Sequence, residues 1–481
     1  MTASLRLSDL KTSLTNRVFF GNEPTPELMA ILLVYFVQGI LGLARLAVSF
    51  FLKDDLGLTP AQMSALLGVA AIPWMVKPLF GFLSDGLPLF GYRRRPYLIL
   101  SGLLGSAAWI AMATVVHSAW AAGLAIALSS LAIAVSDVIV DSLVVERART
   151  ESVSDAGSLQ ALCWGTSALG GLITAYFSGS LLERFSPNTL FAITASFPLL
   201  VSMVAWAIQE PRVDRGSDWG AVREQVKSLW GAVRQKSIWM PTTFLFLWQA
   251  TPTAESAFFY FTTNELGFSS EFLGRVRLVT SLASLVGIWT FQRFFRAVSF
   301  RKLFAWTMVI SSALGMTMLL LVTHANRALG IDDHWFSLGD SLILTVMGQI
   351  AYMPVLVLAA RLCPPGVEAT LFALLMSVTN LAGLLSYELG AGMMHWLHIS
   401  ESNFTNLWLL VVLTNLSTLL PFPFLGLIPA QDSENYTIHS GDEMKLAGSG
   451  VAPLHPDGPV EANSLAFGPG IPTGVGQRDE G

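Results

Sequence analysis

What most constrains this chain is a series of long apolar runs. A bilayer core about 30 Å thick takes roughly 20 residues of helix. Twelve runs of that kind follow one another, at approximately 28–51, 61–84, 96–116, 119–145, 157–180, 188–208, 239–263, 271–293, 301–323, 338–361, 368–394 and 404–428. Only helices and closed barrels satisfy every backbone polar group in hydrocarbon. No segment shows the in/out alternation of a barrel strand, so an all-α membrane protein is expected. Composition points the same way. Of 481 residues, 53% are hydrophobic and only 13% charged, against about 25% charged in a soluble domain. A net charge of −5 leaves no basic footprint for nucleic acid. Cys163 and Cys363 alone build neither a disulfide framework nor a four-ligand metal site. No metal and no cofactor is expected.

The basic residues sort by side. Arg93, Arg94, Arg95, Arg147, Arg149, most of the basic residues of 209–238, Arg293, Arg296, Arg301, Lys302 and Arg361 fall in even-numbered loops. The odd-numbered loops hold only Lys53, Arg184 and Arg327. Lys and Arg mark the cytoplasmic side, so both termini are expected there. The first 20 residues lack the apolar core and cleavage site of a secretory signal. After about residue 430 the chain is rich in Gly, Pro, Ser and acidic groups without periodicity, which reads as disorder. The expected organisation is a cytoplasmic segment 1–27, a six-helix half 28–208, a cytoplasmic linker 209–238, a second six-helix half 239–428 and a tail 429–481.

Six spans, a linker and six more suggest a duplicated unit. Arg147, a short loop and Gly170-Gly171-Leu172 have a counterpart in Arg361, a Pro-Pro-Gly turn at 364–366 and Gly383-Leu384-Leu385. Parallel six-helix halves around a central cavity build the major facilitator architecture. The loop after the second span, from Gly81 through Asp85 and Gly86 to Arg93-Arg94-Arg95-Pro96, resembles the signature loop of that superfamily. Asp85 and the three arginines are therefore expected to act as a conformational latch, away from substrate.

Further stretches narrow the resemblance. They are Asn22-Glu-Pro-Thr-Pro-Glu-Leu28, Lys77-Pro-Leu-Phe-Gly-Phe-Leu-Ser-Asp-Gly86, Gly91-Tyr-Arg-Arg-Arg-Pro-Tyr97, Asp137 with Asp141, and Ala359-Ala-Arg-Leu-Cys-Pro-Pro-Gly-Val-Glu-Ala-Thr-Leu-Phe-Ala373. Together they resemble the folate–biopterin transporter family over most of residues 22–428. The resemblance implies uptake of folates or related pterins together with protons. The short N-terminus is more like that of a cyanobacterial member, in a bacterial inner membrane, than that of a plastid-envelope member. A monomer is expected.

Ionisable groups near the membrane centre cost roughly 2.5–3.5 kcal/mol each on insertion scales, so those present mark function or structural pairing. Span four places Asp137 and Asp141 on one stripe, with Lys77 of span two at similar depth. Two readings stay open: a structural ion pair, or a proton-responsive cluster. In the outer half Glu255 and Arg277 sit at similar depth, as a structural pair or as substrate contacts. Arg45 shares a face of span one with Tyr35 and Gln38, where it can meet an anion or act as a gate.

A folate combines a flat pterin edge, an aromatic middle and a glutamate. Matching groups are Arg or Lys for carboxylates, amides or a carboxylate for the pterin edge, and aromatic faces for stacking. Arg45 and Arg277 are assigned to the carboxylates. Gln38, Gln249 and Gln349 are assigned amide contacts, with Trp164 or Trp248 for stacking and Glu255 and Asn380 completing the set. The alternatives are a proton-coupled sugar or glycoside carrier and a drug exporter of the same fold. No His-Glu-x-x-His, Gly-x-Ser-x-Gly or P-loop pattern supports an enzyme.

Overall fold

The computed structural model describes residue 19 and residues 23–148, 153–212, 220, 223, 226–227, 230–231, 233–295, 298–362 and 368–428. Most of the N-terminal segment, much of the linker, the tail, Arg149, Arg296 and Cys363 lie outside the described residues. The described chain is helical. Its membrane helices are α1 (Pro26–Asp55), α2 (Pro60–Gly86), α3 (Arg95–Thr114), α4 (Ala119–Ala148), α5 (Val153–Arg184) and α6 (Pro187–Ala207). In the second half come α7 (Lys236–Gln249, resuming as Glu255–Tyr260 and Phe261–Glu265), α8 (Ser270–Phe295), α9 (Phe300–Val322), α10 (Asp333–Arg361), α11 (Glu368–Trp396) and α12 (Leu407–Leu427). Ten helices among the described residues are long and apolar enough to cross a membrane. The other two of the twelve expected runs are the 32-residue α5 and the interrupted α7.

Local chemistry sets where helices begin. Thr25 accepts from the Leu28 N–H ahead of Pro26, and Thr59 with Gln62 forms a reciprocal capping box ahead of Pro60. These satisfy N–H groups that a helix start leaves free, and Pro costs nothing there. The turn that joins α1 to α2 recurs between α7 and α8. Phe51-Leu-Lys-Asp-Asp-Leu-Gly-Leu-Thr59 and Phe261-Thr-Thr-Asn-Glu-Leu-Gly-Phe-Ser269 lie 210 residues apart. Each is a turn of π-helix, followed by a glycine at φ of 60° (Gly57) or 69° (Gly267) and by an N-capping hydroxyl. The left-handed glycine explains why the motif tolerates no side chain there. The same offset makes Arg45 and Glu255 equivalent positions of the first helix of each half.

α7 is interrupted because Pro252 has no N–H to give. Its freed groups are taken up by α11. Ser386 Oγ donates to the Thr251 carbonyl at 2.5 Å, and the Thr253 N–H donates to the Ser386 carbonyl at 3.3 Å. Gly390 permits the approach, since a Cβ there would lie 2.1 Å from the Thr253 carbonyl oxygen. α5 packs on α1 in the corresponding way, with the Thr174 hydroxyl turned to the Gly39 carbonyl at 3.5 Å.

The halves meet along α2 with α11 and α5 with α8, and at the outer ends of α1 and α7. Outer contacts are dense. Phe50 stands edge-on to Phe259 at 5.2 Å, Lys53 Nζ donates to Asn264 at 2.8 Å, and the Tyr260 hydroxyl donates to the Leu58 carbonyl. Gly179 and Gly274 let α5 and α8 cross with backbones in contact, and Ser270 Oγ donates to Glu183 at 2.9 Å. By contrast α4 and α10 pack extensively only within their own halves. The bundle is thus sealed on the outer side, while among the described residues α4 and α10 make no extensive contact across the halves. A Gly274→Leu substitution should wedge the α5–α8 crossing open. The expected result is several-fold faster labelling of a cysteine at Ser281 by an impermeant thiol reagent added outside. Equal rates with and without the leucine would show that the crossing does not hold the seal.

Candidate substrate and coupling site

Two polar clusters lie between the helices. The first belongs to the N-terminal half. Lys77 follows a kink in α2, where regular helix lapses at Val76. Its ammonium contacts Asp137 Oδ2 closely and Asp141 Oδ2 at 3.3 Å. The i, i+4 spacing of the two aspartates on α4 puts both carboxylates on that one cation. Tyr35 of α1, itself buried, donates its hydroxyl to Asp141 Oδ1 at 2.5 Å. Gln38, one turn along α1, is near Asp137. Its amide interacts with the Asp137 carboxylate and borders a small cavity of about 20 Å³ lined by α1, α3, α4 and α6. The structure therefore places Gln38 toward the interior of its half. Trp74 Nε1 donates to Ser130 Oγ at 3.1 Å, and its ring carries the Lys77 ammonium at 5.6 Å.

The second cluster sits at the outer third of the inter-half space. Arg45 and Glu255, the equivalent positions of α1 and α7, and Arg277 of α8 are within electrostatic range of one another. Arg277 makes no ion pair with Glu255 among the described residues. The Glu255 carboxylate instead accepts from the Tyr387 hydroxyl of α11 at 3.0 Å. Because α7 breaks at 250–254, Glu255 heads a new helical segment, where its N–H donates to Thr253 Oγ1 at 3.2 Å. Two arginines with no carboxylate in contact thus lie beside a glutamate engaged by a phenol. Such an arrangement favours an anionic guest, because guanidinium groups hold carboxylates bidentately. About one helical turn farther out, the Phe50–Phe259 contact closes the space.

The remaining predicted residues fall between these clusters or away from them. Trp164 is exposed on α5. Trp248 is packed edge-on to Phe304 at 5.8 Å in the core of the C-terminal half, which reduces the face it can offer for stacking. Gln249 ends the first segment of α7. Gln349 of α10 lies against Gly287 of α8, and Asn380 of α11 donates to the Trp74 carbonyl at 3.5 Å across the two halves.

The signature loop is fastened inside the N-terminal half. Arg94 pairs with Asp85 at 2.7 Å and donates to Ser84 Oγ at 2.8 Å. Glu210, just past α6, accepts the backbone N–H groups of Arg93, Arg94 and Arg95 at 2.5–3.1 Å. A carboxylate at the N-terminus of α3 meets free N–H groups and the positive end of the helix dipole. Arg95 lies over Tyr92 and Trp206 and donates to the Ile208 carbonyl at 2.7 Å. Sequence reasoning missed Glu210, Tyr35 as a partner of Asp141, and Tyr387 as a partner of Glu255. For Glu210, an acid directly before Pro211 was the available signal.

Two six-helix halves, a seal on one side and charged clusters between the helices define a membrane transporter of the major facilitator fold. Solved structures agree on the fold. The nucleoside transporter NupG superposes with a TM-score of 0.61 at 14% identity over 83% of this chain and 98% of that one. A D-xylose–proton symporter superposes with a TM-score of 0.62 at 13% identity over 86% and 100%. The sequence pattern of the BT1 family matches residues 38–445. A folate-biopterin transporter of Synechocystis is 62% identical over 90% of this chain and 87% of that protein. Folate transporter 2 of Plasmodium falciparum is 30% identical over 84% and 88%. The chain belongs to the BT1 family, and the expected membership among the folate–biopterin transporters holds. It is an integral membrane protein, and its relatives are transporters, not enzymes.

Removing the cation from the first cluster leaves two adjacent carboxylates without their partner. Lys77→Met should destabilise the detergent-solubilised protein by about 3–5 kcal/mol. The loss should shrink as pH falls, because protonation discharges the carboxylates that then repel. A thermal-unfolding series against pH checks this. A deficit that does not change with pH would mean that Lys77 acts through packing alone.

Proposed function

We propose that this protein takes up folates and related pterins across a bacterial inner membrane, by proton symport with alternating access of the two halves 28–208 and 239–428. The observation that carries the substrate is the 62% identity with the Synechocystis folate-biopterin transporter over 90% of the chain. The chemistry of the second cluster suits that substrate. Arg45 and Arg277 receive the glutamate carboxylates, while the carboxylate of Glu255 is suited to the N–H edge of a pterin. Gln249, Gln349 and Asn380 add polar contacts toward the middle of the bilayer, and Trp164 offers a stacking face. No fixed cation is needed for an uncharged sugar, so the two arginines favour an anionic solute over the glycoside reading.

Protons couple through Lys77, Asp137 and Asp141. One proton crossing a potential of about 150 mV releases about 3.5 kcal/mol, enough for a gradient of several hundred-fold. The Asp85–Arg94 pair and the Glu210 clasp hold the cytoplasmic end of the N-terminal half as one body while the halves rock. The proposed working unit is a monomer.

Bacteria lacking a folate carrier and expressing this chain should accumulate labelled folic acid in an uncoupler-sensitive manner and should not take up sucrose. Arg45→Gln and Arg277→Gln should each raise the apparent KM for folic acid by about tenfold or more, and much less for an uncharged pterin. Equal effects on both solutes would remove the arginines from the carboxylates. Sucrose accumulation without folate would overturn the substrate.

A further inference from the structure

Resting on that proton-coupling reading, we propose that Asp141 is the group that releases the proton to the cytoplasm, that Asp137 keeps Lys77 throughout, and that Tyr35 is the positioning residue that orients Asp141. Two carboxylates and one ammonium cannot balance. With both aspartates ionised the cluster carries one excess negative charge, and a proton must reside on one of them to remove it.

Geometry separates the two. Asp137 is the closer partner of Lys77, and its side chain is 16% exposed. Asp141 stands 3.3 Å from the same ammonium, and its side chain is 43% exposed. A proton on Asp137 would take the near counter-ion from a largely buried lysine, a costly state. A proton on Asp141 leaves the Lys77–Asp137 pair intact and the cluster neutral. Asp141 also lies one turn nearer the cytoplasmic end of α4, about 6 Å along the axis.

The two oxygens of Asp141 have separate donors. Oδ2 faces Lys77 and Oδ1 takes the Tyr35 hydroxyl at 2.5 Å. Tyr35 is only 3% exposed, so its hydroxyl is held in place and fixes the orientation of the Asp141 carboxylate. The other groups acting on this site are Asp137 of α4 and Cys163 of α5, while Arg147, at the end of α4, lies near Cys163 and donates to Thr25 Oγ1 at 3.0 Å. The step balances simply. The Asp141 carboxylic acid gives its proton to water in the cytoplasmic opening, and the resulting carboxylate is held by Lys77 and the Tyr35 hydroxyl.

The test compares Asp141→Asn, Asp137→Asn and Tyr35→Phe in cells and in proteoliposomes with labelled folic acid. Two processes are read: net accumulation with and without an uncoupler, and exchange of internal for external folate, which moves no net proton. Asp141→Asn should lose accumulation at least tenfold while retaining exchange. Asp137→Asn should impair both, because Lys77 then shifts onto Asp141. Tyr35→Phe should keep accumulation but move the dependence of efflux on internal pH, because the Asp141 carboxylate loses the donor that orients it. Retained uncoupler-sensitive accumulation in Asp141→Asn, or an exchange-only phenotype in Asp137→Asn instead, would overturn the assignment. Should Asp141→Asn fail to reach the membrane, the Tyr35→Phe profile decides, and an unmoved profile overturns the proposal. If the unaltered protein accumulates folate regardless of uncoupler, the proton-coupling reading itself fails, which is a separate outcome.

Discussion

In the bilayer core there is no water to satisfy a freed backbone group or an ionised side chain, and the irregular parts of this bundle follow from that constraint. α7 can break at Pro252 only because Ser386 and the backbone of α11 supply the partners that lipid cannot. Gly390 is required for the same reason, since it brings α11 close enough to do so. The break in turn places Glu255 at the start of a helical segment, facing the space between the halves.

The same constraint sorts the buried charges into two kinds. Lys77 is saturated with carboxylates and belongs to a cluster complete within one half. Arg45 and Arg277 come from opposite halves, lie within electrostatic range of each other and make no ion pair among the described residues, while Glu255 is engaged by Tyr387. A site that gathers uncompensated cations from both halves is completed by an anionic guest. Under the proposed alternating access, the binding energy of that guest would act on the relative position of the halves.

Sealing on the outer side rests on small and aromatic residues rather than on the basic loops. Gly179 and Gly274 allow backbone contact, and Phe50, Phe259 and Tyr260 fill the space between α1 and α7. The basic cluster at Arg93–Arg95 is spent on fastening α3 to the end of α6 through Glu210. These contacts tie α3 to the ends of α2 and α6 within one half, and the seal sits at the opposite face of the membrane.

Twelve apolar runs, their sidedness and the family-specific stretches were all legible in the chain, because hydrocarbon length and the bias of Lys and Arg act through local composition alone. The helical stripe that joins Asp137 to Asp141, and their match in depth with Lys77, also follows from a regular helix. Where a helix stops being regular, that reading weakens. A continuous span seven would put Trp248, Thr251 and Glu255 on one stripe, and the break at Pro252 redirects it. Tyr387 on Glu255, Tyr35 on Asp141, Glu210 on the α3 terminus and the inward aim of Gln38 could not be read in advance. The first three depend on residues 106 to 132 positions apart and the last on which neighbour fills a space, and only the packing of helices within each half determines that.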